Sequence, residues 1–123
     1  MSMTIHNRLP EPEILKMEYP LSAELTEIKR TRDEEIKKVF TGESDKFLVI
    51  IGPCSADNED SVCEYVSRLA KVNEEVKDRL ILIPRIYTNK PRTTGAGYKG
   101  MLHQPDPTQA PDLYKGLVMI RKM

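Results

Sequence analysis

Apolar residues along this chain fall into two patterns. In one, Leu25, Ile28, Ile36, Val39 and Phe40, and later Val62, Tyr65, Val66, Leu69 and Val76, recur at spacings that place them mostly on one face of a helix. In the other, Phe47-Leu48-Val49-Ile50-Ile51 and Leu80-Ile81-Leu82-Ile83 are short, unbroken and rich in β-branched residues. A run of that length without polar alternation predicts a strand buried on both faces, as in a parallel sheet. Punctuation fits these elements. Ser22 is placed to cap the first helix and Gly42 to stop it. Gly52-Pro53 ends the first strand, and Ser55 or Asp57 is the expected cap of the next helix, with Asp57, Glu59 and Asp60 at its positive end. Pro84 cannot donate to a ladder, so it marks a bulge or the end of the second strand.

Residues 1–20 contain Pro10, Pro12 and Pro20 with little periodicity, and predict an extended arm. Residues 87–110 predict a long loop, a length that is uncommon unless the loop is functional or disordered. Pro111 fits the first position of a last helix carrying Leu113, Tyr114, Leu117 and Val118 on one face. The expected order is arm, helix, strand, helix, strand, loop, helix. Strand–helix–strand is a βαβ unit, so the fold class is α/β with a parallel sheet and a right-handed crossover. Two parallel strands leave two open edges, and the 123 residues are not expected to close this fold unaided.

Composition narrows the partners. Nineteen basic and nineteen acidic residues balance, which argues against a general nucleic-acid binder, whose affinity needs a basic excess. With 39% apolar and 31% charged residues the chain is expected to be globular. No apolar run approaches the roughly 18 residues of a membrane span, and the first residues hold no signal-peptide core, so no membrane partner and a cytoplasmic location are expected. Cys54 and Cys63, nine residues apart, make neither a disulfide framework nor a zinc motif.

The charge is balanced but unevenly placed. From Arg79 to Pro105 there is no Asp or Glu, where the average density would put about four, while Arg79, Arg85, Lys90, Arg92 and Lys99 fall in the same window. This segment is either a solvated basic loop or an anion site. Ligands of parallel α/β folds bind at the C-terminal ends of strands. Here those ends are Ile51-Gly52-Pro53-Cys54-Ser55 and the stretch from Arg85 to Thr94, and parallel neighbours bring both to one rim. Cys54 is therefore expected close to the cations. By itself it is a buried small apolar residue, a nucleophile or a metal ligand; Cys63 is expected to pack in its helix. Arg85, Lys90, Arg92 and Lys99 together match roughly two phosphates at −1.5 to −2 charges each, and Gly95 and Gly97 let backbone N–H groups approach a ligand.

The strings Ile51-Gly52-Pro53-Cys54-Ser55, Lys90-Pro91-Arg92-Thr93-Thr94 and Tyr98-Lys99-Gly100, at this spacing, resemble the N-terminal third of the type I 3-deoxy-D-arabino-heptulosonate 7-phosphate (DAHP) synthase, or phospho-2-dehydro-3-deoxyheptonate aldolase, family. The likeness is strongest over residues 47–107. It implies a (β/α)8 TIM barrel with an N-terminal extension, in which residues 1–45 are the extension and 46–123 the first two βα units of an incomplete barrel. It implies a transferase that condenses phosphoenolpyruvate with erythrose 4-phosphate and releases phosphate, the opening step of the shikimate route to aromatic amino acids. The divalent metal would be Mn, Fe, Co or Zn, with Cys54 as one ligand. Arg85 and Lys99 resemble residues that hold phosphoenolpyruvate, and Lys90, Pro91, Arg92 and Thr93 the erythrose 4-phosphate contacts, with Lys90 also stabilising the developing alkoxide. The family's His, Glu and Asp ligands lie in later strands; His6 and His103 are expected to be loop residues that do not replace them. The family also implies a homo-oligomer and an extension involved in subunit contacts. One stretch departs from the family pattern: after Thr94 the loop is one residue longer and carries Tyr98 where many members have Trp. A barrel needs about 250 residues, so this chain alone is expected to be inactive. The competing expectation is a non-catalytic interaction or phosphate-binding module.

Overall fold

In the computed structural model, which describes residues 8–123, the chain runs through α1 (Pro12–Glu18), α2 (Ala23–Phe40), β1 (Phe47–Ile51), α3 (Glu59–Val76), β2 (Leu80–Pro84) and α4 (Leu113–Lys122). β1 and β2 are parallel neighbours, with Phe47 opposite Leu80 and Ile51 opposite Pro84. The βαβ unit and both strands thus fall where the apolar runs placed them, and Pro84 closes β2.

Helix ends follow local side-chain chemistry. The Ser22 hydroxyl accepts the Leu25 N–H at 3.1 Å, as expected, and Gly42 turns the chain out of α2 at φ +77°. For α3 the expected cap is corrected. Asn58, not Ser55 or Asp57, accepts the Ser61 N–H at 2.9 Å. The reason is tertiary: Ala56 is fully buried and tied by its backbone to the second strand's exit, so the helix starts only beyond it. Pro111 is likewise corrected. It lies one residue before Asp112, whose carboxylate caps α4 by accepting the Lys115 N–H at 2.9 Å.

The expected arm contains a short helix. α1 has Pro12 in its first turn, where a missing N–H costs nothing, and buries Leu15. Its end is held against α4, because the Tyr19 carbonyl accepts from Arg121 Nε at 2.8 Å and Lys122 lies 5.1 Å from the Tyr19 ring centroid. Tertiary contacts of this kind, invisible to periodicity, are what a seven-residue helix needs.

Burial is the main departure from expectation. Ile81 of β2 is 1% exposed, but Phe47 and Ile50 of β1 are 69% and 67% exposed. α3 packs chiefly on β2, whereas α2 covers β1 thinly, and α2 itself buries no residue fully. Leu25, Ile28 and Phe40 remain exposed on it. Arg32 of α2 reaches across to donate to the Leu82 carbonyl at 3.0 Å. The ladder pairs Phe47 N–H with Arg79 and Arg85 N–H with Ile51, so even-numbered carbonyls such as that of Leu82 point away from β1.

The tightest packing lies beyond the strand ends. Ala56, Val62 and Met101 form a buried cluster with Val66, Ile86, Met119 and Ile120 packed against it. Full burial of a side chain such as Met101 contributes about 1.5–3 kcal/mol. Gly116 lets α4 come this close, since a Cβ there would stand 2.1 Å from the Leu102 carbonyl oxygen. No helix among the described residues is long and apolar enough to cross a membrane.

Candidate anion-binding site

The two strand exits are joined by backbone. Arg85 N–H donates to the Ile51 carbonyl at 2.8 Å, which carries the parallel ladder one residue past β2. Gly52 makes the approach possible: a Cβ there would fall 1.8 Å from the Arg85 carbonyl oxygen. Ala56 N–H then donates to the Tyr87 carbonyl at 2.9 Å. Residues 51–56 and 85–87 therefore run side by side, and the side chains they carry share one rim.

At that rim Lys90 Nζ lies 3.0 Å from Cys54 Sγ, a contact across 36 residues of sequence that follows from the parallel-neighbour rule. Cys54 is exposed, so it is not a buried packing residue. The hydrogen bond from Lys90, followed by the charge of Lys90, holds its thiol below the ordinary thiol range against a small desolvation, and the charges of Arg85 and Arg92 act in the same direction.

The expected long loop is a folded flap. Lys90 N–H donates to the Lys99 carbonyl at 2.8 Å and Leu102 N–H to the Thr88 carbonyl at 2.9 Å, so residues 88–90 are backed by 99–102. Gly100 permits this at φ +96°, where a Cβ would meet the Thr88 oxygen at 2.3 Å. Arg92 Nε donates to the Tyr98 carbonyl at 2.8 Å, which fixes the guanidinium over the flap beside Gly97. Pro91, Thr93 and Lys99 are exposed on the same flap, and no hydrogen bond or ion pair joins their side chains to the Cys54–Lys90 pair among the described residues. Lys99 takes part in the geometry through its carbonyl. His103 sits in the turn after the flap, as expected for a loop residue, with Nε2 3.0 Å from Asn89 Oδ1; His6 lies outside the described residues.

Two aromatic residues of this rim have surroundings that the sequence reading did not assign. The Arg85 guanidinium carbon lies 4.0 Å from the Tyr87 ring centroid. Tyr98 has a buried hydroxyl with no hydrogen-bond partner among the described residues. Burial, then the charge of Asp57, pushes that phenol above its ordinary range. A visible signal existed for the first: Arg85 and Tyr87 are two apart on extended chain, and such residues share a face.

None of Arg85, Lys90, Arg92 and Lys99 is paired with a carboxylate among the described residues. Every ion pair found there lies elsewhere, so the rim keeps its positive potential for an incoming oxyanion. Among the described residues the candidate metal ligand at this rim is Cys54. No group of three or more His, Cys, Asp or Glu side chains among them could hold an ion, and first-row divalent ions take at least four ligands. A groove of about 530 Å³ lies between α3, the end of β2 and α4. Cys63 lines it and is exposed, not packed as expected.

Residues 19–118 match the DAHP synthetase I family. The chain is 36% identical to the phenylalanine-inhibited phospho-2-dehydro-3-deoxyheptonate aldolase of Saccharomyces cerevisiae, over 96% of this chain and 32% of that protein. It is 34% identical to the Phe-sensitive enzyme of Escherichia coli K12, over 91% of this chain and 32% of that one. Its fold superposes on the solved phospho-2-dehydro-3-deoxyheptonate aldolase of Francisella tularensis with a TM-score of 0.89 and 29% identity, covering 98% of this chain and 35% of that one. The chain thus spans about a third of the length of these relatives.

Proposed function

The chain belongs to the DAHP synthetase I family, and on that footing we propose that its βαβ unit forms the first two of the eight βα units of a barrel enzyme that condenses phosphoenolpyruvate with erythrose 4-phosphate. The observation that carries this reading is the 3.0 Å contact between Lys90 and Cys54, which unites the two family strings at one cationic rim. Arg85 and Lys99 bind phosphoenolpyruvate, Arg as a planar fork for an oxyanion and Lys as a point charge. Lys90, Pro91, Arg92 and Thr93 receive erythrose 4-phosphate. When the enol carbon attacks the aldehyde, a carbon–carbon bond forms and the carbonyl electron pair moves to oxygen. The Lys90 ammonium stabilises that developing alkoxide by donating to it. Addition of water at the phosphate-bearing carbon and loss of inorganic phosphate complete the balance.

Cys54 would be one ligand of a divalent metal (Mn, Fe, Co or Zn), whose chemistry there would be to polarise the aldehyde carbonyl. Because no group of three or more His, Cys, Asp or Glu side chains among the described residues could hold the ion, the chain binds phosphoenolpyruvate without turning it over. The working enzyme is a cytoplasmic homo-oligomer to which α1 and α2 contribute subunit contacts.

Calorimetry of the purified chain with phosphoenolpyruvate tests the reading. Arg85→Gln should weaken binding by about tenfold or more, the ordinary cost of a lost charged hydrogen bond. No binding by the wild type, or no change in Arg85→Gln, refutes the reading; phosphate release by the chain alone with manganese refutes the statement of inactivity. The want of such a donor group among the described residues favours a second reading, a metal-free oxyanion-binding module. Manganese should tighten binding in the first reading, with the effect lost in Cys54→Ser, and should have no effect in the second.

A further inference from the structure

We propose that Tyr87 is the positioning residue for Arg85, its ring face holding the guanidinium in the pose that meets the oxyanion; this rests on the reading above that Arg85 binds phosphoenolpyruvate. Arg85 is exposed and has no carboxylate partner among the described residues, so nothing ionic orients its long side chain. What it has is the Tyr87 ring, 4.0 Å from guanidinium carbon to centroid, well inside cation–π range. Both ends of this stack are fixed by backbone. Arg85 N–H is bound to Ile51, and the Tyr87 carbonyl accepts from Ala56, a fully buried residue whose own carbonyl accepts from Met101. The ring is therefore a half-buried platform on a segment anchored by backbone hydrogen bonds, and the exposed guanidinium rests on it. Spacing accounts for the pair, since residues two apart on extended chain project to the same side. An Arg held before the ligand arrives loses less rotamer freedom on binding, and preorganisation of this kind is expressed as affinity. The ring leaves the guanidinium edge, with its N–H donors, open toward solvent and ligand.

The test compares Tyr87→Phe, which keeps the ring face, with Tyr87→Leu, which removes it. A third variant carries a fluorinated phenylalanine at position 87, nearly unchanged in size but drained of negative charge on its face, so that the test stands even if the Leu variant fails to fold. The first readout is ¹⁵N relaxation of the Arg85 Nε–H group in the unliganded chain. Wild type and Tyr87→Phe should show an ordered Nε–H, and the Leu and fluorinated variants a mobile one. The second readout is phosphoenolpyruvate affinity, which should fall about two- to fivefold in the Leu and fluorinated variants. In an Arg85→Gln background the same changes at position 87 should have no further effect on affinity. The proposal is overturned by an Arg85 Nε–H that is equally mobile in wild type and the fluorinated variant, or by an affinity loss that persists undiminished without Arg85. If Arg85 follows the ring as stated while the wild-type chain binds no phosphoenolpyruvate, the positioning role stands and the functional reading falls.

Discussion

At the rim, Ala56 and Met101 are fully buried and three chain segments exchange backbone hydrogen bonds, whereas a few residues earlier Phe47 and Ile50 of β1 stand open to solvent. The two regions are held by different physics. The rim depends on short directed bonds between segments 51–56, 85–90 and 99–102, each satisfied within this chain. The sheet depends on cover of its apolar faces, which α3 supplies for β2 and α2 barely supplies for β1. A site can thus be geometrically set while the sheet beneath it remains half-covered.

Six substitutions, taken in four steps, break or sharpen this contrast. Gly52→Ala should have the largest effect, because its Cβ would overlap the Arg85 carbonyl and force the strand exits apart. A loss of about 3 kcal/mol or failure to fold is expected in urea denaturation. Ile81→Ala should cost about 3 kcal/mol, the ordinary range for emptying a buried aliphatic site. Its counterpart Ile50→Ala, on the exposed strand, should stay within about 0.5 kcal/mol. Similar losses at both positions would show that β1 is as well covered as β2.

The third step probes the rim by pH. Lys90 favours the Cys54 thiolate, so the folded chain releases this proton at lower pH than the unfolded chain does. The associated stability is present above the unfolded thiol's range and lost as pH falls through the folded one. In a Cys63→Ser background, Lys90→Met should move the midpoint of the iodoacetamide alkylation profile upward. A midpoint that stays put would remove Lys90 as the cause. The smallest effects belong to the caps. Ser22→Ala and Asn58→Ala should each cost about 1 kcal/mol in thermal unfolding. Only the second, next to the rim, should alter the alkylation profile.

Legibility in the sequence followed the range of the force involved. β1 was readable to the residue because five apolar residues in a row leave no other assignment, and Ser22 was readable because an N-cap acts within three residues. The α3 cap was not, because Ser55, Asp57 and Asn58 all qualify locally and the choice is made by Ala56 bonding to Tyr87, thirty-odd residues on. α1 was missed for the same reason: Tyr19, at its end, finds its partners Arg121 and Lys122 near the other end of the chain. The exposure of β1 was missed because an unbroken apolar run tells what a strand needs and not what covers it. The Cys54–Lys90 meeting was readable through the topology of parallel strands, while the Tyr87 and Tyr98 roles were hidden behind the neighbouring charges.

Ala56 has one further consequence. It gives its N–H to the exit of the second strand and its carbonyl to Met101 at the far end of the flap, so one small residue is the knot at which three lengths of chain are tied. Parting any one of these lengths from the others therefore breaks a backbone hydrogen bond made at a fully buried residue, so the flap and the two strand exits keep their places only jointly.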